Sequence, residues 1–305
     1  MIYRMKKLIY IFLFITAFFQ PDYSQAQIIN SYAYTSVSSD ADANAFISAA
    51  GITDATVKNA VINLVLGLKD ETRPVGETWS KYKAIYPFAS DGISQTREFQ
   101  HKFNLINPLD TDAAFRLTFN GTITHDSNGI TGDGSTGYAN THLIPSTDLT
   151  YTGNTLGLYN RTSDSGNTAR DFGAKNGTSQ YSFHIRYTNG IFYYDGYGSG
   201  LSGRISFSNP STAGYYQIVQ VGDLNKVFIN NILKGSKTIN QSALFLDLNN
   251  SLFIGALNEN GIASTLKTNR NYAFSCISNQ LTDLEAAADY TVIQAFQEAL
   301  NREVI

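Results

Sequence analysis

The sequence predicts a mainly β protein, a sandwich or jelly roll, preceded by a helical extension and closed by one C-terminal helix. Three observations point there. Beyond about residue 96, short runs with apolar residues at alternate positions follow one another, separated by Gly, Asn and Asp. Tyr and Phe number 19 each while charged residues make up only 15%, below the roughly one quarter of ordinary soluble domains. Cys276 is the only cysteine, so no intrachain disulfide exists and an apolar core has to hold the chain. Cys276 itself reads as a small buried member of that core.

The elements follow in chain order. Arg4, Lys6 and Lys7 precede an uninterrupted apolar run, Leu8 to Phe19, which Pro21 breaks. Ser24-Gln25-Ala26 then places small residues where a signal peptidase cuts. The run is too short to cross roughly 30 Å of hydrocarbon as a helix. Residues 1–26 are therefore expected to be an export signal, and the mature chain to be secreted or extracellular. Residues 27 to about 38 are polar, without a period, and read as an extended arm.

Asp40 or Asp42 is placed to cap a short helix through Phe46 and Ile47 that Gly51 ends. Asp54 caps a second, with Val57, Val61, Leu64, Val65 and Leu68 on one face and Arg73-Pro74 at its stop. Trp79 to Ile85 is expected to add a third short turn of helix, closed by Pro87. Residues 27–95 thus form an arm and short helical segment, and 96–305 the sandwich with its helix.

HKFNLI (101–106), AFRLTFNGTIT (114–124) and YSFHIRYT (181–188) are expected strands. Asn189-Gly190 predicts a type I′ hairpin leading into IFYYDGYG (191–198), and KVFINNILKG (226–235) is expected to be a second hairpin with Asn230-Asn231 at its turn. YYQIVQV (215–221), SLFIGAL (251–257) and NYAFSCI (271–277) complete the set. Thr282 and Glu285 stand at capping-box spacing. Leu284, Ala288, Val292, Ala295, Phe296 and Ala299 make the stripe expected to lie against the sheet.

The chemistry-bearing motifs are few. GDGSTG (132–137) has the letters of a dinucleotide fingerprint, but Asn140, Thr141 and Pro145 after it oppose the helix whose N-terminus would meet a pyrophosphate. It reads as a turn that supplies positive φ. DSNGITGDGSTG (126–137) fails the EF-hand pattern, with Ile130 at the fifth position and Gly137 in place of the bidentate Glu. Asp126, Asn128 and Asp133 are still the calcium ligands the chain offers, and calcium is the one cofactor in view. His101, His125, His142 and His184 are scattered without metal-ligand spacing. Asp110-Thr111-Asp112 and Asp283-Leu284-Glu285 have carboxylates two apart, but the first lacks a third acid and the second opens a helix. No catalytic residue is expected. With 22 basic and 25 acidic residues and no Lys/Arg cluster, nucleic acid and anionic membrane are poor partners.

Sugar rings stack their C–H faces on exposed Tyr, while Asn and Asp bind the hydroxyls. Tyr194, Asp195 and Tyr197 come together in IFYYDGYG and are the expected ligand-binding residues, whereas Phe192 and Tyr193 read as core. Asn258 and Asn260 of NENG (258–261) and Arg270 add polar loop groups.

Five stretches carry a resemblance: DTDAAFRLTFNGTITHDSNGITGDGSTGYANTHLIP (110–145), KVFINNILKGSK (226–237), SLFIGAL, LTDLEAAADYTVIQAFQEALNREV (281–304) and, ahead of the sandwich, WSKYKAIYPFAS (79–90). Over roughly residues 40–305 the chain resembles the concanavalin A-like (laminin-G-like) jelly-roll modules of bacteriophage structural and tail-associated proteins. The resemblance implies a lectin-like sandwich that binds a cell-surface glycan or polysaccharide, or that builds or decorates a virion. The E-x-D-x-E strand of that superfamily's glucanases is absent, which counts against a glycosidase. The export signal departs from phage tail proteins, which assemble in the host cytoplasm. The expectation is a non-catalytic carbohydrate-binding adhesion module, with two alternatives: a structural virion or surface component, homo-oligomeric through the N-terminal helices, and a polysaccharide-degrading enzyme.

Overall fold

Local capping sets the helix starts. The Asp40 carboxylate accepts from the Asp42 and Ala43 amides at the head of α1 (Ala41–Ala50), which Gly51 ends at φ 65°. Asp54 accepts from the Val57 amide at the head of α2 (Ala55–Lys69). This computed structural model describes residues 39–92, 94–197, 202–239 and 245–304. The expected export signal (1–26) and the arm (27–38) lie outside them.

The strands run β1 (Tyr82–Tyr86), β2 (Thr118–Asn120), β3 (Ile123–Asp126), β4 (Gly129–Gly132), β5 (Tyr138–Asn140), β6 (Asn154–Asn160), β7 (Phe172–Asn176) and β8 (Ser179–His184). They continue with β9 (Ile191–Gly196), β10 (Arg204–Ser208), β11 (Gly214–Val221), β12 (Leu224–Ile229) and β13 (Ile232–Thr238). β14 (Phe253–Ile254), β15 (Ala256–Glu259), β16 (Ile262–Lys267) and β17 (Asn271–Asn279) complete them. The remaining helices are α3 (Ser94–His101), α4 (Pro145–Asp148) and α5 (Asp283–Ala299). Among the described residues no helix is long and apolar enough to cross a membrane.

Two sheets face each other, as the alternating sequence pattern predicts. The first has the order β13-β12-β11-β6-β17-β4-β3, with β1 also on β17; the second is β10-β9-β8-β7-β14-β5-β2, with β15 on β7 and β16 on β15. Leu156, Leu158, Tyr216 and Ile218 of the first meet Phe172, Phe183, Phe192 and Tyr194 of the second in the main core. The opposite face of the first sheet is sealed too. Tyr159, Tyr215, Phe274 and Cys276 pack there against Phe46, Val61, Leu64 and Val65 of α1 and α2 and Ile293 and Phe296 of α5. Each large apolar side chain so buried contributes about 1.5–3 kcal/mol, so this face stays closed. Burial also pushes the Cys276 thiol up to about 12.

Several expectations are corrected. Trp79–Lys81 forms one 3-10 turn, but Tyr82–Tyr86 is a strand, paired with Ser275–Ser278 far along the chain. Its partner is non-local, which helical spacing cannot reveal. His101 ends a helix, and 102–106 forms no strand. There the Asn104 side chain accepts from the Ile85 amide and donates to the Lys83 carbonyl, taking the place of a ladder rung. The stretch 114–124 splits at Gly121 (φ 69°), where a Cβ would come 2.2 Å from the Thr136 carbonyl, and its halves enter different sheets.

Asn230 and Asn231 both take positive φ, 49° and 61°, so the hairpin expected there closes with a type I′ turn. At Asn189-Gly190 only Gly190 does, and its amide bonds the Tyr187 carbonyl at 2.8 Å. That hairpin closes with a three-residue loop instead. The capping box at Thr282 and Glu285 is present, yet Leu284 is 74% exposed and Ala299 also faces solvent. The buried stripe runs through Ala286, Asp289, Ile293 and Phe296. Asp289 sits there because Arg73 (2.9 Å), Thr78 (2.7 Å) and Tyr82 (2.8 Å) all donate to it, a polar reason that apolar periodicity does not register.

Candidate functional site

The helices cover the first sheet, with α3 on β3 and α5 on β11, which leaves the outward face of the second sheet as the broad surface to consider. Strand alternation decides what stands on it. Along β9, Phe192 and Tyr194 point into the core, so Tyr193 and Asp195 point out. Register places Arg204 opposite Asp195, Asp195 opposite Ser182, and Ser182 opposite Gly173 across β10, β9, β8 and β7. Gly173 permits the approach, since a Cβ there would fall 2.2 Å from that of Ser182.

Asp195 is the hub of this face, only 2% exposed. Arg204 donates to its two oxygens through Nε at 2.6 Å and Nη2 at 2.9 Å. Arg170 Nη2 reaches it at 3.2 Å and Gln180 Nε2 at 3.1 Å. Arg170 Nη1 donates to His184 Nδ1 at 2.5 Å. That bond puts the His184 proton on Nε2. Burial, reinforced by Arg170, Arg270 and Arg204, pushes His184 down to about 2, so it is neutral. Two guanidiniums, 21% and 25% exposed, therefore share one buried carboxylate at the surface.

The aromatic part of the face is Tyr193. Arg204 lies over its ring at 4.7 Å from the centroid, Tyr187 meets its edge at 6.1 Å, and Asn189 Nδ2 donates to its hydroxyl at 2.8 Å. Beside Arg170 an open depression of about 440 Å3 is lined by Thr168, Leu257, Glu259, Ile262 and Leu266.

The residues singled out from sequence are dispersed. Tyr194 and Tyr197 are fully buried: the Tyr194 hydroxyl bonds Asn225 at 2.7 Å, and the Tyr197 ring stacks on Tyr181 at 4.3 Å. Neither ring offers a face to a ligand: alternation turns Tyr194 inward, and Tyr197, just past the end of β9 at φ 48°, packs on Tyr181 in the core. Asp195 lies on the outer face but beneath its donors. Arg270 is buried against Asp171 and Asp164, and Asn258 is buried with its amide on the Ser251 carbonyl. Asn260, at φ 54°, holds the Gly177 amide in a turn. Arg170, Gln180, Tyr193 and Arg204 were missed. For Tyr193 a signal existed: counting alternate positions from an inward Phe192 turns it outward. For the others there was none, since only sheet register brings them together.

The calcium set does not assemble. Asp126 bonds the Asn128 amide at the β3–β4 turn, whereas Asp133 follows the far end of β4, on the order of 10 Å away at about 3.3 Å per residue. Asp133 accepts from the Ser135, Thr136 and Gly137 amides and the Thr136 hydroxyl. GDGSTG is thus a turn closed on its own Asp. Among the described residues no three His, Cys, Asp or Glu side chains cluster as a metal site.

No protein-family model matches the sequence, and no curated protein does. Solved structures do match in fold. A Trypanosoma rangeli sialidase mutant displaying trans-sialidase activity is 11% identical with a TM-score of 0.50, over 80% of this chain and 38% of that one. The binding domain of botulinum neurotoxin serotype D is 9% identical with a TM-score of 0.48, over 70% and 52%. Domain 4 of AbnA, a GH43 extracellular arabinanase from Geobacillus stearothermophilus solved with arabinotriose, is 18% identical with a TM-score of 0.45, over 69% and 98%. The chain spans a quarter of the Streptococcus pneumoniae NanB sialidase chain it matches and about half of the neurotoxin chain. At these identities the likeness is one of β-sandwich fold.

Proposed function

We propose that the chain is a non-catalytic carbohydrate-binding module acting outside the cell, at a cell or virion surface, and that it binds on the outer face of the second sheet. One observation carries the reading. Tyr193 stands outward on the second sheet with the Arg204 guanidinium over its ring, and Arg204, Arg170 and Gln180, all partly exposed, gather on the neighbouring Asp195. A ring beside several fixed donors suits a sugar, whose C–H face stacks while its oxygens accept. Catalysis is not part of the proposal, because both oxygens of Asp195 are taken by Arg204, Arg170 and Gln180. That leaves the central acid unavailable as a proton donor or nucleophile. The extracellular setting rests on the basic, apolar and small-residue pattern of residues 1–26. α1 and α2 bury their apolar side chains inside the chain, so the proposal needs no assembly through them.

The test is glycan-array binding of the chain lacking residues 1–26, with Tyr193→Ala beside it. Specific binding that Tyr193→Ala weakens at least tenfold supports the reading. Absence of binding across a broad array refutes it and leaves a structural role.

A further inference from the structure

We infer that the saccharide bound on this face carries a carboxylate, which Arg170 and Arg204 receive together. The inference rests on the carbohydrate-binding reading above and narrows it to acidic sugars.

Charge is the first ground. Arg170 and Arg204 converge on one carboxylate, that of Asp195, from 3.2 Å and 2.6 Å. Neighbouring acids do not balance the surplus. Glu259, at the rim of the depression, pairs with Lys175 at 2.5 Å; Arg270 pairs with both Asp171 at 2.7 Å and Asp164 at 2.9 Å, and Arg186, which donates to the Asp164 carbonyl at 2.8 Å, offsets the second of these acids. His184 adds no charge of its own. The pair therefore has one positive charge in excess, on a chain whose net charge is −3. A patch of sign opposite to the whole molecule marks a local preference and not general attraction for polyanions.

Geometry is the second. A guanidinium offers five N–H donors in a planar fork that matches a carboxylate two-pronged. Arg170 uses Nη1 on His184 and Nη2 on Asp195, and its Nε is buried without a partner among the described residues. Arg204 uses Nε and Nη2 on Asp195, which leaves Nη1 for a ligand. Asp195 and His184 belong to strands, so both guanidiniums are held in place before any ligand arrives, and little ordering cost remains on binding. Tyr193 under the Arg204 fork supplies the stacking surface for the ring that bears the acid.

The experiment uses matched pairs of sugars that differ in the carboxylate: polygalacturonate against its methyl ester, sialyllactose against its methyl ester, and hyaluronan against its carboxyl-reduced form. Titration calorimetry at moderate salt reads each. The acid of at least one pair is expected to bind ten times or more tightly than its neutral partner. Arg204→Gln and Arg170→Gln should each remove at least tenfold of that preference, and Arg204→Lys less. Equal binding of acid and neutral partners, or binding to neutral glycans alone, overturns the carboxylate inference while the carbohydrate reading stands. Binding to no sugar overturns both. The wild-type comparison decides the question even where a variant fails to fold.

Discussion

Arg270 and Asp171, both wholly buried, meet through two hydrogen bonds of 2.8 and 2.7 Å from Arg270 Nη1. The pair joins the sheets, because Arg270 leads into β17 of the first and Asp171 into β7 of the second. Asp164 takes the other side of the guanidinium at 2.9 and 3.0 Å, and Asp171 also accepts from the Tyr272 hydroxyl and the Ile185 amide, each at 2.7 Å.

Breaking such a pair strands a buried charge, which costs about 3–5 kcal/mol. Asp171→Ala is therefore expected to destabilise the fold by about that amount, measured by urea unfolding. A loss under about 1 kcal/mol would mean that the sheets are held together without this tie.

A second prediction concerns acid. His101 and His125 are both buried, with their Nδ1 atoms 3.1 Å apart, and His101 Nε2 lies 2.9 Å from Ser90 Oγ. One proton can sit between the two rings, but a second cannot be added without repulsion. Burial pushes both below the usual histidine value, His125 to about 4, and for His101 the His125, Arg302 and Arg97 charges act the same way; Asp126 opposes the shift at His125. The unfolded chain therefore binds more protons than the folded one below pH about 6.5, and stability must fall as pH drops from there toward 4. Urea midpoints at pH 7, 6 and 5 should decline. A double variant, His101→Gln with His125→Gln, should show a shallower decline, and an unchanged slope would exclude the pair as its source.

Helix starts at Asp40, Asp54 and Thr282 and the Asn230-Asn231 turn were legible in the sequence because a cap or tight turn is settled within four residues. The candidate site was not. Arg170 lies in a loop, Gln180 on β8 and Arg204 on β10, and nothing local relates them; antiparallel register gathers them around Asp195. The buried stripe of α5 was misplaced for a related reason, since Asp289 faces inward to meet Arg73 from another helix's end.

The β12–β13 turn offers a local test. Asn231 is exposed at φ 61°, and Asn230 must stay because its side chain accepts from the Tyr215 amide at 2.7 Å. Asn231→Gly should keep or raise stability by up to about 1 kcal/mol. Asn231→Val forces a β-branched residue into the left-handed region and should cost about 1–2 kcal/mol. Equal melting temperatures for the two variants would contradict the turn assignment.

Calcium makes a fourth. Asp133 is held below the usual carboxylate range by the Thr136 hydroxyl first and then by the Gly137, Ser135 and Thr136 amides. Its oxygens are occupied, and Asp126 lies at the other end of the hairpin. Millimolar calcium, or EDTA, should leave the melting temperature where it is. A rise of several degrees with calcium would mean that the turn reorganises to release Asp133.

Tyr193 and Tyr194 are adjacent in sequence and should behave oppositely. Tyr194 is fully buried in the core, with its hydroxyl on Asn225, so Tyr194→Ala should destabilise by about 3–5 kcal/mol. Tyr193 is partly exposed on the outer face, where truncation opens no interior cavity, and Tyr193→Ala should cost no more than about 1 kcal/mol. Its loss should instead appear in sugar binding, because the ring is the stacking surface beneath Arg204. Unfolding curves and glycan titrations of both variants separate the two roles. If Tyr193→Ala unfolds as readily as Tyr194→Ala, the alternation of β9 is misassigned, and the outer face loses the aromatic on which the proposed binding depends.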